Sequence, residues 1–148
     1  MRFKGLMVLA VALLVGADEA GDAGKKELKK FQGTWEMDKL EYNGKDESDK
    51  YKFKLVVKGD QGTVVGNDRV RKEYARVTLK LDPGTTPRSV DMSVTAGSQK
   101  DNVIEGIYRL KGDELTICAK VVGKERPTRF ESPEGDSIAL VVFKREKP

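Results

Sequence analysis

Residues 111–121, Lys-Gly-Asp-Glu-Leu-Thr-Ile-Cys-Ala-Lys-Val, decide the fold. Lys111-Gly112-Asp113-Glu114 reads as a two-residue hairpin loop in which glycine supplies the positive φ. Beyond it Leu115, Ile117, Ala119 and Val121 alternate with Glu114, Thr116, Cys118 and Lys120. A period of two puts the first set on the core face of a strand and the second on a wet face.

The same alternation recurs upstream. Tyr51, Phe53, Leu55 and Val57 alternate with Lys52, Lys54 and Val56. Ala75, Val77, Leu79 and Leu81 alternate with Tyr74, Arg76, Thr78 and Lys80. Val90, Met92 and Val94 alternate with Ser89, Asp91 and Ser93. The last run, Ile138 to Phe143, is apolar in both registers and predicts a strand covered on both sides. Phe53, Leu55, Val77, Leu79, Met92, Ile117 and Leu140 are the expected inward positions. Turn signals separate the runs at Asn43-Gly44, Gly59-Asp60, Asn67-Asp68, Asp82-Pro83-Gly84, Ala96-Gly97-Ser98 and Glu134-Gly135. The pattern predicts an all-β antiparallel meander of about eight or nine strands, which must close into a barrel or sandwich to hide its edges. Lys25 to Gln32 places Leu28 and Phe31 three residues apart among lysines, which suits a short helical turn ahead of the first strand.

The chain has 148 residues and a formal charge of +4, with one cysteine and no histidine. That length suits one domain. A single cysteine excludes a disulfide scaffold and a multi-cysteine metal site, and the absence of histidine removes Ser-His and Cys-His nucleophile systems. No catalytic motif stands out, so the chain reads as a non-enzyme without cofactor or metal. Asp46-Glu47-Ser48-Asp49 misses the EF-hand spacing and reads as a solvated loop.

Residues 1–17 have the layout of a secretory signal peptide. Arg2 and Lys4 precede an apolar run from Leu6 to Val15, and Val15-Gly16-Ala17 offers a cleavage site after Ala17. The run is shorter than the roughly 20 residues of a membrane span. Cleavage removes two basic residues and lowers the net charge accordingly, which opposes nucleic-acid binding. Residues 18–27, small and acidic from Asp18 to Gly24, read as a flexible leader, and 28–147 as the barrel domain. The expected location is periplasmic or extracellular.

Two sets of motifs carry a resemblance. Phe31-Gln32-Gly33-Thr34-Trp35 is followed by Leu40-Glu41-Tyr42-Asn43-Gly44-Lys45. Later come Ile107-Tyr108-Arg109-Leu110, Gly112-Asp113-Glu114-Leu115, Gly123-Lys124-Glu125-Arg126-Pro127-Thr128-Arg129-Phe130 and Leu140-Val141-Val142-Phe143-Lys144-Arg145-Glu146. Together they resemble a family of small secreted, lipocalin-like domains of planctomycete bacteria. Gly33-x-Trp35 after a short helix is similar to the lipocalin signature. That likeness implies a Trp35 packed at the closed end of the barrel, with Arg145 over it by cation–π contact.

Trp35, Tyr108, Arg126 and Arg129 are the candidate ligand-binding residues, and Gly33, Trp35, Pro127 and Arg145 the candidate structural ones. The Arg126 guanidinium forms a planar fork suited to carboxylate or phosphate; it serves either an anion or an internal bridge, and Pro127 stiffens the loop in both cases. Cys118 reads as a half-buried free thiol. Two functions fit: a module binding a small molecule in or at the mouth of the barrel, or a structural or interaction module of the cell envelope with a filled core. A His-free hydrolase is a remote third.

Overall fold

The computed structural model describes residues 21–123 and 125–147. The signal peptide read at 1–17 and the first three leader residues lie outside them. Helix α1 (residues 21–31) leads into β1 (Gly33–Tyr42), β2 (Lys45–Asp46), β3 (Lys54–Lys58) and β4 (Gln61–Val65). Helix α2 (Asp68–Glu73) follows. Then come β5 (Arg76–Asp82), β6 (Arg88–Ala96), β7 (Val103–Lys111), β8 (Glu114–Lys120) and β9 (Ile138–Arg145).

From β3 onward each strand pairs antiparallel with the next. β3 also pairs with β1, and β9 returns to pair with β1 along nearly its whole length. Eight strands therefore close a barrel, and closure removes the edges that an open meander would expose. β2 is an extra arm on the far end of β1, where Tyr42 pairs with Lys45. The hairpin read at residues 111–114 is present: Lys111 pairs with Glu114 and Gly112 has φ 61°.

Four expectations need correction, the fourth being the wet face read for β8. The leader read at 18–27 is helical over its described part, 21–27. α1 forms because its apolar stripe has a surface to pack on: Phe31 is fully buried against the barrel, and Glu27 is buried beside it. A second helix, α2, was read only as the Asn67-Asp68 turn. Asn67 caps it, its side-chain oxygen accepting from the Val70 amide at 3.1 Å. Leu140 faces outward. Ala139, Val141 and Phe143 are the inward residues of β9, and Leu140 pairs with the outward Cys118.

The middle of the outer face of β7 to β9, at Ile107, Thr116 and Cys118, is not wet, contrary to the reading of β8. The described residues of the connection from β8 to β9, 121–123 and 125–137, lie across it as a strap. Cys118 is completely buried, and its thiol donates to the Arg129 and Glu131 carbonyls, both at 3.4 Å. Arg109 stacks over the Phe130 ring at 4.7 Å. Ile107, Cys118 and Leu140 are neighbours across the three strands and form a thin apolar layer under the strap. The two-sided apolarity of β9 is thereby accounted for.

Candidate functional site

The two ends of the barrel differ. One end is sealed by α1. Trp35 is fully buried there, and its Nε1 donates to the Phe31 carbonyl at 2.8 Å. Arg145, its partner across the β1–β9 pair, lies 4.2 Å from the ring centroid. The same guanidinium donates to the Lys30 and Gln32 carbonyls and to Asp113. A cation on the last carbonyls of a helix opposes the negative end of its dipole. Gly33 turns the chain from α1 into β1 at φ 120°, a conformation that side-chain-bearing residues rarely adopt.

Beside Trp35 the buried Glu27 carboxylate accepts from the Tyr108 hydroxyl at 2.6 Å and pairs with Lys30 at 3.0 Å and Arg88 at 3.4 Å. Desolvation pushes its carboxyl up. The Tyr108 hydroxyl, Lys30 and Arg88 outweigh that, and the carboxyl sits below its ordinary value. Burial, and then the bond to Glu27, holds the Tyr108 phenol well above its ordinary range. Phe31 and Tyr108 meet edge to face at 5.2 Å. This end is a closed plug.

The opposite end is open. A cavity of about 1070 Å³ runs from it into the barrel. Leu55, Val77, Met92, Ile117, Val141 and Phe143 form its apolar wall. The room comes from small residues. Ala119 and Ala139 are partners across β8 and β9, and the next residue in that row is Tyr42 on β1. A strip of wall without large side chains leaves space that eight-stranded barrels otherwise fill. Tyr42, Tyr51 and Tyr74 stand around the mouth with Val70 of α2. Asn67 ties that helix to the rim by donating to the Lys50 and Lys52 carbonyls.

The four residues read as ligand-binding are not on this wall. Trp35 and Tyr108 belong to the plug. Arg126 is on the outer face of β6 and β7, where it donates to the Val90 and Gly106 carbonyls at 3.2 and 2.8 Å. It also reaches Asp91 at 2.7 Å and Glu105 at 3.5 Å. Both terminal nitrogens of its fork are engaged within the chain. Pro127 beside it is buried, whereas Arg129 is exposed on the strap. Alternation puts Tyr51 on a core face, puts Tyr74 on a wet face, which the structure corrects, and gives Tyr42 no face; it does not bring the three together, because Tyr51 and Tyr74 lie outside the strands and Tyr42 ends β1. The small-residue row has a partial signal, Ala119 at an inward position, but Ala139 is hidden by the inward reading of Leu140, and the effect of the row depends on cross-strand register. Among the described residues no three of His, Cys, Asp and Glu come together as a metal-holding group. Comparison with known proteins gives no match to a family model, a curated protein or a solved structure.

Proposed function

We propose that this chain is an exported barrel that binds a small, largely apolar molecule in its cavity. One observation carries the reading: a cavity of about 1070 Å³, walled by apolar side chains, opens at one end only, while the other end is plugged. Ligand sites in proteins are typically concave and mostly apolar, with a few polar groups that fix orientation and a volume of roughly 300–1,000 Å³. The open interior favours this reading over an envelope interaction module with a filled core. Export rests on residues 1–17, with a basic start, a short apolar run and Val15-Gly16-Ala17.

Two measurements test the proposal. Native mass spectrometry of protein purified from its own host should show a retained small molecule and a mature chain beginning near Asp18; an intact Met1 refutes export. A neutral environment-sensitive dye such as N-phenyl-1-naphthylamine should bind with a fluorescence rise. The rise should disappear in Ala139→Phe or Val141→Trp, which fill the cavity, provided that circular dichroism shows each variant folded. Equal dye binding in the filled variants refutes the cavity as the site.

A further inference from the structure

The mouth of the cavity has a chemistry of its own. Tyr42, Tyr51 and Tyr74 are each half-buried and pack against the core. Among the described residues none of the three hydroxyls has a hydrogen-bond partner within the chain, and no two of the three rings stack on one another. The Arg69 guanidinium lies over the Tyr51 ring at 5.9 Å, so the faces of Tyr42 and Tyr74 and the three phenol oxygens remain available to whatever occupies the mouth. The charged side chains lining the cavity are Glu73, Asp101, Glu105 and Lys120, and Glu105 is paired with Arg126 at 3.5 Å. Lys120 pairs with Glu125 at 3.9 Å, whereas Glu73 and Asp101 have no ion-pair partner among the described residues. Glu73 and Tyr74 are consecutive residues at the end of α2 and line the cavity together with Tyr42; burial first, and then the Glu73 carboxylate and the Tyr42 hydroxyl, hold the Tyr74 phenol above its ordinary value. The fork-shaped cation that could receive an anionic head, Arg126, is committed to the outer face.

We infer that the occupant of the cavity is an amphiphilic amine: an apolar body in the barrel and an ammonium head among Tyr42, Tyr74 and Glu73. This inference rests on the cavity reading and adds the head group to it. Aromatic faces attract a cation through their quadrupole, most strongly where water is partly excluded. A carboxylate beside them supplies the counter-charge, and phenol oxygens accept from the ammonium hydrogens. A carboxylate head in the same place meets Glu73 and Asp101 with like charge. A neutral alcohol gains hydrogen bonds but no Coulomb attraction.

Displacement of N-phenyl-1-naphthylamine by octylamine, octanol and octanoate at about pH 7, where the amine and the acid are both ionised, tests this. The three ligands share one tail, so their ranking reads the head alone. Octylamine should displace the dye at about tenfold lower concentration than octanoate, with octanol between them. Added salt should narrow the gap, because part of the attraction is Coulombic. Glu73→Gln and Tyr74→Phe should each bring octylamine toward octanol, and Glu73→Asp should preserve the order. If the dye binds but octanoate equals or surpasses octylamine, the head-group inference fails while the cavity reading stands. If the dye does not bind at all, both fail together.

Discussion

Trp35 is the keystone of the plug, and its removal gives the sharpest test of the closed-end architecture. The side chain is fully buried. A buried Trp removes about 150–250 Å² from water, which at about 25 cal/mol per Å² is about 4–6 kcal/mol for the whole side chain. Alanine keeps a small share of that, and the walls relax partly into the gap, so Trp35→Ala should cost about 3–5 kcal/mol. Loss of the Nε1 bond to the Phe31 carbonyl adds about 1 kcal/mol, because that acceptor is left at a buried helix end. Arg145 also loses its aromatic platform. The melting temperature should fall by about 10–15 °C for a domain of this size. Trp35→Phe keeps most of the ring area and should cost only about 1–2 kcal/mol. Urea denaturation followed by far-ultraviolet circular dichroism is the right assay, since the variants lose the sole tryptophan. A loss below about 1 kcal/mol for Trp35→Ala, within the range of ordinary surface changes and small repacking, refutes the plug as described.

Arg126→Ala should destabilise by about 1–3 kcal/mol, since it strands the Asp91 carboxylate and two carbonyls at a site still partly open to water. Arg126→Lys should recover only part of this in the same urea experiment, and an unchanged midpoint for the alanine variant means the strap is not pinned there. The native Cys118 thiol should resist a thiol reagent such as dithionitrobenzoate until the chain unfolds. It is buried under the strap, and desolvation raises it above its ordinary value. Rapid labelling of folded protein contradicts the strap. Glu27 carries a carboxyl below its ordinary value of 4.5, so the stability it contributes is complete above that pH and is lost as pH falls through its lower folded value. Unfolding free energy measured from neutral pH down through that window should fall more steeply for the natural chain than for Glu27→Gln. Parallel slopes remove Glu27 from the acid response.

The barrel was legible because its signal is short-range. Period-two alternation needs only neighbouring residues, and Phe53, Leu55, Val77, Met92 and Ile117 do line the cavity. Leu140 was misread because β9 is apolar in both registers, which leaves the choice of face to pairing with β1 and β8. The outer burial of Thr116 and Cys118 was hidden for a related reason: it depends on where a loop lies, and alternation along β8 is silent about that. Glu27 looked like one charge among lysines. Only the placement of Tyr108 and Arg88 above it makes it a buried acceptor. Gly33, Trp35 and Arg145 were readable together from the motif at each end of the chain, and they do meet in the plug. The mouth is built from a strand end, a loop and the end of a helix, so nothing local in the sequence assembles it.

The seam between β1 and β9 joins the two ends of the domain, with Gln32 and Arg145 bonded across 113 residues of chain. A ribosome therefore releases β1 long before its partner exists. Until β9 emerges, β1 and β8 are unsatisfied edges, Trp35 has no cover, and the fold cannot lock. Such non-local closure makes folding slow and all-or-none. Loss of the last strand should leave a sticky, protease-sensitive chain, not a smaller barrel. Late locking suits the export proposed above: a polypeptide whose barrel stays open until β9 is made can still be threaded through a narrow pore.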